Sequence, residues 1–115
     1  MDELRRELKR GTIELILLKL LESREMYGYQ LVSELEKRGG ELFSVKEGTL
    51  YPVLYRLEDK KLIESYRVTP EERGVPRKYY RLTNAGKEYL TVLTREWQSF
   101  AGIINGFIQS EETLS

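Results

Sequence analysis

The chain contains no cysteine and no histidine in 115 residues. Lacking cysteine, it can form no disulfide, offer no thiolate nucleophile and build no cysteine-ligated zinc site. Lacking histidine as well, it is without the commonest metal ligand and the usual general base near neutral pH. A hydrolytic or metal-dependent enzyme is therefore not expected, and no catalytic residue, cofactor or metal site is assigned. There is also no run of about 18 apolar residues, and no charged-then-apolar amino terminus followed by a cleavage site. The expectation is a soluble cytoplasmic protein with neither a membrane span nor a secretory signal. Internal repeats and low-complexity segments are missing too.

Charge of one sign is not in excess: 19 Lys and Arg face 19 Asp and Glu, a formal net charge of +0. The distribution is less even. Residues 67–81 hold Arg67, Arg73, Arg77, Lys78 and Arg81 against Glu71 and Glu72, a local +3, whereas residues 82–115 come to −2. Salt screens charges beyond about 8 Å, so a locally basic stretch on a neutral protein still attracts phosphate at contact range.

What is present is strong helical periodicity in a chain long enough for one small domain. Residues 2–10 form a charged segment with Leu4 and Leu8 at helical spacing, interrupted by Gly11. Residues 12–23 are apolar nearly all round and predict a helix buried on most of its surface. The segment "YGYQLVSELEKRGG" places Tyr27, Leu31, Val32 and Leu35 on one face and ends at Gly39-Gly40, a helix stop. Ser44 followed by Glu47 has the spacing of a capping box, so the next helix is expected to start just after Ser44. In it Leu50, Val53, Leu54 and Leu57 follow the i, i+3, i+4, i+7 pattern of a core face. Two helices joined by a short Gly-containing turn are a helix-turn-helix candidate.

"LIESYRV" and "RKYYRLT" read as strands around the loop "TPEERGVP", a β-hairpin with a long connection. Thr83 or Asn84 then caps a helix running to about residue 109. Its residues Leu90, Leu93, Trp97, Phe100, Ile104 and Phe107 alternate three and four apart, a heptad seam. The fold class expected is mainly α: a winged helix-turn-helix with an added N-terminal helix and a long C-terminal dimerisation helix. The winged-helix DNA-binding domain is expected over residues 1–83, and the dimerisation helix and tail over 84–115.

The polar side of the second helix of the helix-turn-helix carries Thr49, Tyr51, Tyr55 and Arg56 around Pro52. Such a face is either simply solvated or a reading surface. Tyr, Thr and Arg together can touch base methyls, base edges and phosphates in a major groove about 12 Å wide, which favours reading. Pro52 is expected to bend the helix near its start, since its ring clashes with the carbonyl of Gly48. In "RKYYRL", Arg77, Tyr79 and Arg81 share one face and Lys78, Tyr80 and Leu82 the other, so a basic residue points outward wherever the core lies. With Arg73 at the loop tip and Lys46 before the helix, these cations are the expected phosphate contacts. The C-terminal helix is longer than so small a domain can cover, so Trp97 and the residues beyond it are expected to meet a second copy. Trp97 is either plain packing in that seam or one wall of a pocket for flat apolar molecules.

The motifs "YGYQL", "EGTLYPVLYRLEDKKLI" and "GVPRKYYRLTNAG" together resemble the PadR family of bacterial transcriptional regulators, from about Gly11 to Phe107. The resemblance implies a winged-helix homodimer that represses transcription at a palindromic operator on double-stranded DNA. The single C-terminal helix is similar to the smaller subfamily. In a multidrug-binding member of that subfamily a tryptophan of the last helix stacks on flat drugs. Trp97 matches it, and Leu8, Gly11 and Leu15 match first-helix pocket positions. This sequence departs from that pattern at Thr94, Ala101 and Glu14, where an aromatic, an acidic residue and a neutral amide would stand. The expected function is therefore a DNA-binding homodimeric repressor released by a small aromatic effector. The alternative is a winged helix used for protein contacts without DNA.

Overall fold

The apolar run predicted to be most buried forms α2 (Ile13–Ser23), and its Leu17, Leu18, Leu20 and Leu21 all lie in the core. The other elements of this computed structural model, which describes residues 2–9, 11–70 and 74–110, are arranged around that helix. An amphipathic α1 (Asp2–Lys9) precedes it, and Gly11 at φ +84° makes the turn between the two. Few side chains adopt that left-handed conformation without strain. The Thr12 hydroxyl and N–H both donate to the Lys9 carbonyl, at 2.6 and 3.0 Å, and close the end of α1.

After α2 the chain makes a two-residue strand, β1 (Met26–Tyr27), and enters α3 (Gly28–Gly39). Tyr27 is thus the residue before α3 rather than part of its apolar face, and Gln30 returns its side-chain oxygen to the Tyr27 N–H at 3.1 Å. Gly40, at φ +61°, turns the chain into a short 3-10 helix (Gly40–Phe43). That turn explains why the expected capping box does not form. Ser44 closes the 3-10 helix by donating its N–H to the Glu41 carbonyl, and α4 (Glu47–Asp59) starts three residues later, with Lys46 at its N-cap. The helix runs through Pro52 without interruption. It ends where the Lys61 and Leu62 N–H groups fold back onto the Glu58 and Leu57 carbonyls, at 2.9 and 3.0 Å. Lys61 takes φ +64° there, the left-handed position of a helix C-terminus.

β2 (Ile63–Val68) and β3 (Arg77–Leu82) pair antiparallel from Ile63 opposite Leu82 to Val68 opposite Arg77. β1 pairs with the other edge of β3, Met26 opposite Tyr80, so the sheet order is β1-β3-β2. Its inner face, Met26, Ile63, Tyr80 and Leu82, closes the core against Leu31, Leu35, Leu54 and Leu57 of the helices.

α5 (Asn84–Gln109) begins as expected, with the Thr83 hydroxyl accepting the Gly86 N–H at 2.9 Å. The same hydroxyl donates to the Lys61 carbonyl at 2.7 Å, tying the start of α5 to the end of α4. Gly86 lies so close to the Leu62 carbonyl that a Cβ there would sit 1.9 Å from its oxygen. Leu90 is buried against α2 and Leu93 packs half-buried beside it. At about 1.5 Å per residue α5 is roughly 39 Å long, and its distal turns run on past the core.

Candidate nucleic-acid interface

α4 divides its residues between two tasks. Leu50, Val53, Leu54 and Leu57 go to the core, which turns Thr49, Pro52, Tyr55 and Arg56 outward, with Lys46 exposed at the helix start. Tyr51 is only half exposed. Its ring packs over Gly28 of α3, where a Cβ would come within 2.6 Å of the tyrosine oxygen. The Tyr51 hydroxyl donates to Glu47 at 3.3 Å, and its ring stacks on Tyr55 with centroids 6.2 Å apart. Burial first, and the Glu47 carboxylate second, push the Tyr51 hydroxyl up from its ordinary pKa, so it remains a protonated donor. Arg56 is already partnered: its Nε lies 3.8 Å from Glu14 of α2, and Lys60 Nζ approaches the same carboxylate at 3.5 Å.

The sheet resolves which alternation faces the core. Tyr80 and Leu82 are buried, so Lys78 points inward, toward α4. Lys78 Nζ sits 3.6 Å from Glu58 and over the rings of Tyr55 and Tyr80, at 5.3 and 5.5 Å. Glu58 also accepts the Ser65 hydroxyl at 2.8 Å. The expected surface cation Lys78 is therefore the tie between the hairpin and α4. The Tyr80 hydroxyl in this seam is buried with no hydrogen-bond partner among the described residues, and burial pushes its pKa upward.

On the outer face Arg77 is exposed, its guanidinium 4.7 Å above the Tyr27 ring. Tyr27 meets Tyr79 edge-on at 5.3 Å, and Tyr79 stacks on Tyr66 at 5.7 Å. Arg81 caps the ladder over Tyr66 at 5.0 Å and donates to Glu64 at 2.9 Å, a hydrogen bond that raises its pKa. The Tyr66 hydroxyl bonds Glu25, which raises its pKa in turn. Sequence reading placed Arg77, Tyr79 and Arg81 of "RKYYR" on one face but missed that Tyr27 and Tyr66 join them. Arg73 lies outside the described residues.

A second feature surrounds Trp97, which is 42% exposed. Leu8, Leu15 and Trp97 line an open groove of about 850 Å³ with Ile16, Leu42 and Phe43. Gly11, expected with them, is not on its wall and only makes the turn before α2. Thr94 borders a neighbouring hollow and its hydroxyl is buried without a partner among the described residues. Along the expected seam, Leu90 and Leu93 are used within the chain. Phe100, Ile104 and Phe107 are exposed, at 64%, 41% and 78%, and Ile103 and Ile108, which the heptad reading omitted, widen the patch.

The helices α2 to α4 with the β2-β3 hairpin and an outward-facing second helix define a winged helix-turn-helix protein. Residues 17–92 match the model of the transcriptional regulator PadR-like family. An uncharacterized protein X of Lysinibacillus sphaericus is 40% identical over 108 residues, 94% of this chain and 98% of its own length. The transcriptional regulator Rv3488 of Mycobacterium tuberculosis is 36% identical over 102 residues, 88% of this chain and 90% of its own. The crystal structure of a PadR-like transcriptional regulator from Bacillus cereus superposes with a TM-score of 0.79 at 32% identity, covering 91% of this chain and 99% of that one. The chain belongs to the PadR-like family of transcriptional regulators, a family of regulators rather than enzymes. Among the described residues no helix is long and apolar enough to cross a membrane.

Proposed function

We propose that the chain is a homodimeric repressor that binds a palindromic operator through α4 and the wing, and that a small aromatic ligand beside Trp97 releases it. The observation that carries this reading is the division of α4, whose apolar stripe is spent on the core while Thr49, Tyr55 and Arg56 stand outward beside a basic hairpin. Thr49, Tyr51, Tyr55 and Arg56 select bases. Lys46, Arg77 and Arg73 grip phosphates, while Lys78 sets the wing against α4 and lends its partly exposed charge. Residues 1–83 read DNA and residues 84–115 hold the dimer; the division is one of labour, since Leu90 belongs to the common core. The dimer is supported by the apolar patch from Phe100 to Ile108, which would otherwise face water. The groove at Trp97 supports the ligand. A ligand that favours a dimer with misplaced recognition helices lowers DNA affinity by its difference in affinity for the two states.

Titration of duplex DNA at increasing salt tests the central claim. Binding at low salt with a steep loss as salt rises is expected, and Arg77→Ala should weaken it across all sequences. Absence of salt-sensitive binding would turn the reading toward a protein-contact module. Trp97 fluorescence should be quenched by flat aromatic compounds at micromolar concentration; an unresponsive signal across a varied panel removes the ligand from the proposal.

A further inference from the structure

We infer that α1 forms a second basic flank of the DNA-binding surface, with Arg6 and Lys9 holding the phosphate backbone on the side of α4 opposite the wing. The inference rests on α4 being the DNA-contacting helix. Its starting point is the placement of α1. Gly11 at φ +84° and the paired Thr12 bonds to the Lys9 carbonyl fix the turn between α1 and α2. Lys9 Nζ then lies 6.0 Å from the Phe43 ring, on the 3-10 turn that leads into α4. As a result Arg6 and Lys9 border one hollow, of about 360 Å³, together with Thr49 and Val53 of α4.

The wing meets α4 on another side. Tyr55, over which Lys78 sits, and Thr49 are about 120° apart around the helix at 100° per residue. The outward face that carries Pro52 lies between them. α4 is therefore flanked by cations twice, by Lys78 on the hairpin side and by Arg6 and Lys9 on the α1 side. A helix seated in a major groove about 12 Å wide has a phosphate strand along each edge. Cations on one flank alone would grip a single strand, whereas the two flanks together match both. Lys9 is half-buried and borders the hollow, and a lysine so placed can cover apolar surface with its stem while its ammonium stays in water. Glu41 borders the adjoining hollow with Arg5, Arg6 and Lys9 and offsets part of this charge, and Arg5 also lines the groove at Trp97.

The test compares duplex affinity against salt for the unmodified chain, Arg6→Ala with Lys9→Ala, the charge-keeping pair Arg6→Lys with Lys9→Arg, and Arg77→Ala. The double alanine variant should lose about tenfold or more in affinity at 0.1 M salt, and its log-log salt slope should fall by about 1.8 per bound chain. The charge-keeping pair should retain the original slope. An unchanged slope in the double alanine variant, with a reduced one in Arg77→Ala, overturns the role of α1 and leaves DNA binding by α4 and the wing standing. No salt-sensitive binding by the unmodified chain removes that reading and this one with it. Sedimentation equilibrium on the same variants separates a third outcome. A weakened self-association with an unchanged slope would assign α1 to contact with a second copy and overturn the inference.

Discussion

In α4 the apolar stripe is used up inside the chain, and Leu50, Leu54 and Leu57 are at most 1% exposed. In α5 only Leu90 reaches that depth, and Phe100, Ile103, Ile104, Phe107 and Ile108 stand more than 40% exposed. Both helices show the same amphipathic periodicity in sequence. The difference teaches that periodicity says a face is to be covered and does not say by what. Coverage depends on where the core ends, and here it ends near Leu93.

Substitutions can break this comparison from either side. Leu54→Ala opens a cavity in the centre of the core and should cost about 4 kcal/mol in denaturant unfolding; a change below about 1 kcal/mol would contradict the burial of α4. Gly86→Ala drives a methyl group into the Leu62 carbonyl at the start of α5 and should cost about 3 kcal/mol, read as a lowered thermal midpoint. Ile104→Ser with Phe107→Ser should behave differently. We expect the secondary structure to survive by circular dichroism while self-association weakens at least about a hundredfold, or about 2.7 kcal/mol, in sedimentation. Loss of helix with no change in association would mean that these residues serve the monomer. The smallest effect is expected at the seam between wing and α4. Tyr80→Phe removes a buried hydroxyl that has no partner among the described residues, and should raise stability by about 1 kcal/mol. A loss of stability there would reveal an acceptor, such as an ordered water, that the hydroxyl depends on.

Much of the fold was legible because it is local. Core stripes at 3.6-residue spacing, the Gly39-Gly40 stop, the hairpin and the Thr83 cap are each set by residues within a turn or two of one another. The two-residue strand at Met26 was not legible, because it exists only through pairing with Tyr79 and Tyr80 more than fifty residues away. Ser44 misled for the opposite reason: its local spacing fits a cap, but the preceding 3-10 turn claims it first. At the candidate site the outward set on α4 could be read from its complement, the buried leucines. The inward direction of Lys78 could not, since strand alternation leaves the choice of face to whatever packs against it. Nor could the pairing of Arg56 with Glu14, which joins residues 42 positions apart.

Glu14 and Glu58 give that pairing a further consequence. Each is a resident competitor, tethered beside a cation of the proposed reading surface at a high effective concentration. Under the proposed function, DNA competes with these carboxylates for Arg56 and Lys78, whose charge is already partly neutralised. A random stretch of chromosome, which offers Coulomb attraction alone, gains little from the exchange, whereas an operator adds base contacts that repay it. On a chain of zero formal charge, the rest of the genome then becomes a shallow sink. A small number of copies per cell would suffice to occupy a few sites, and neither acidic residue has to touch DNA to bring that about.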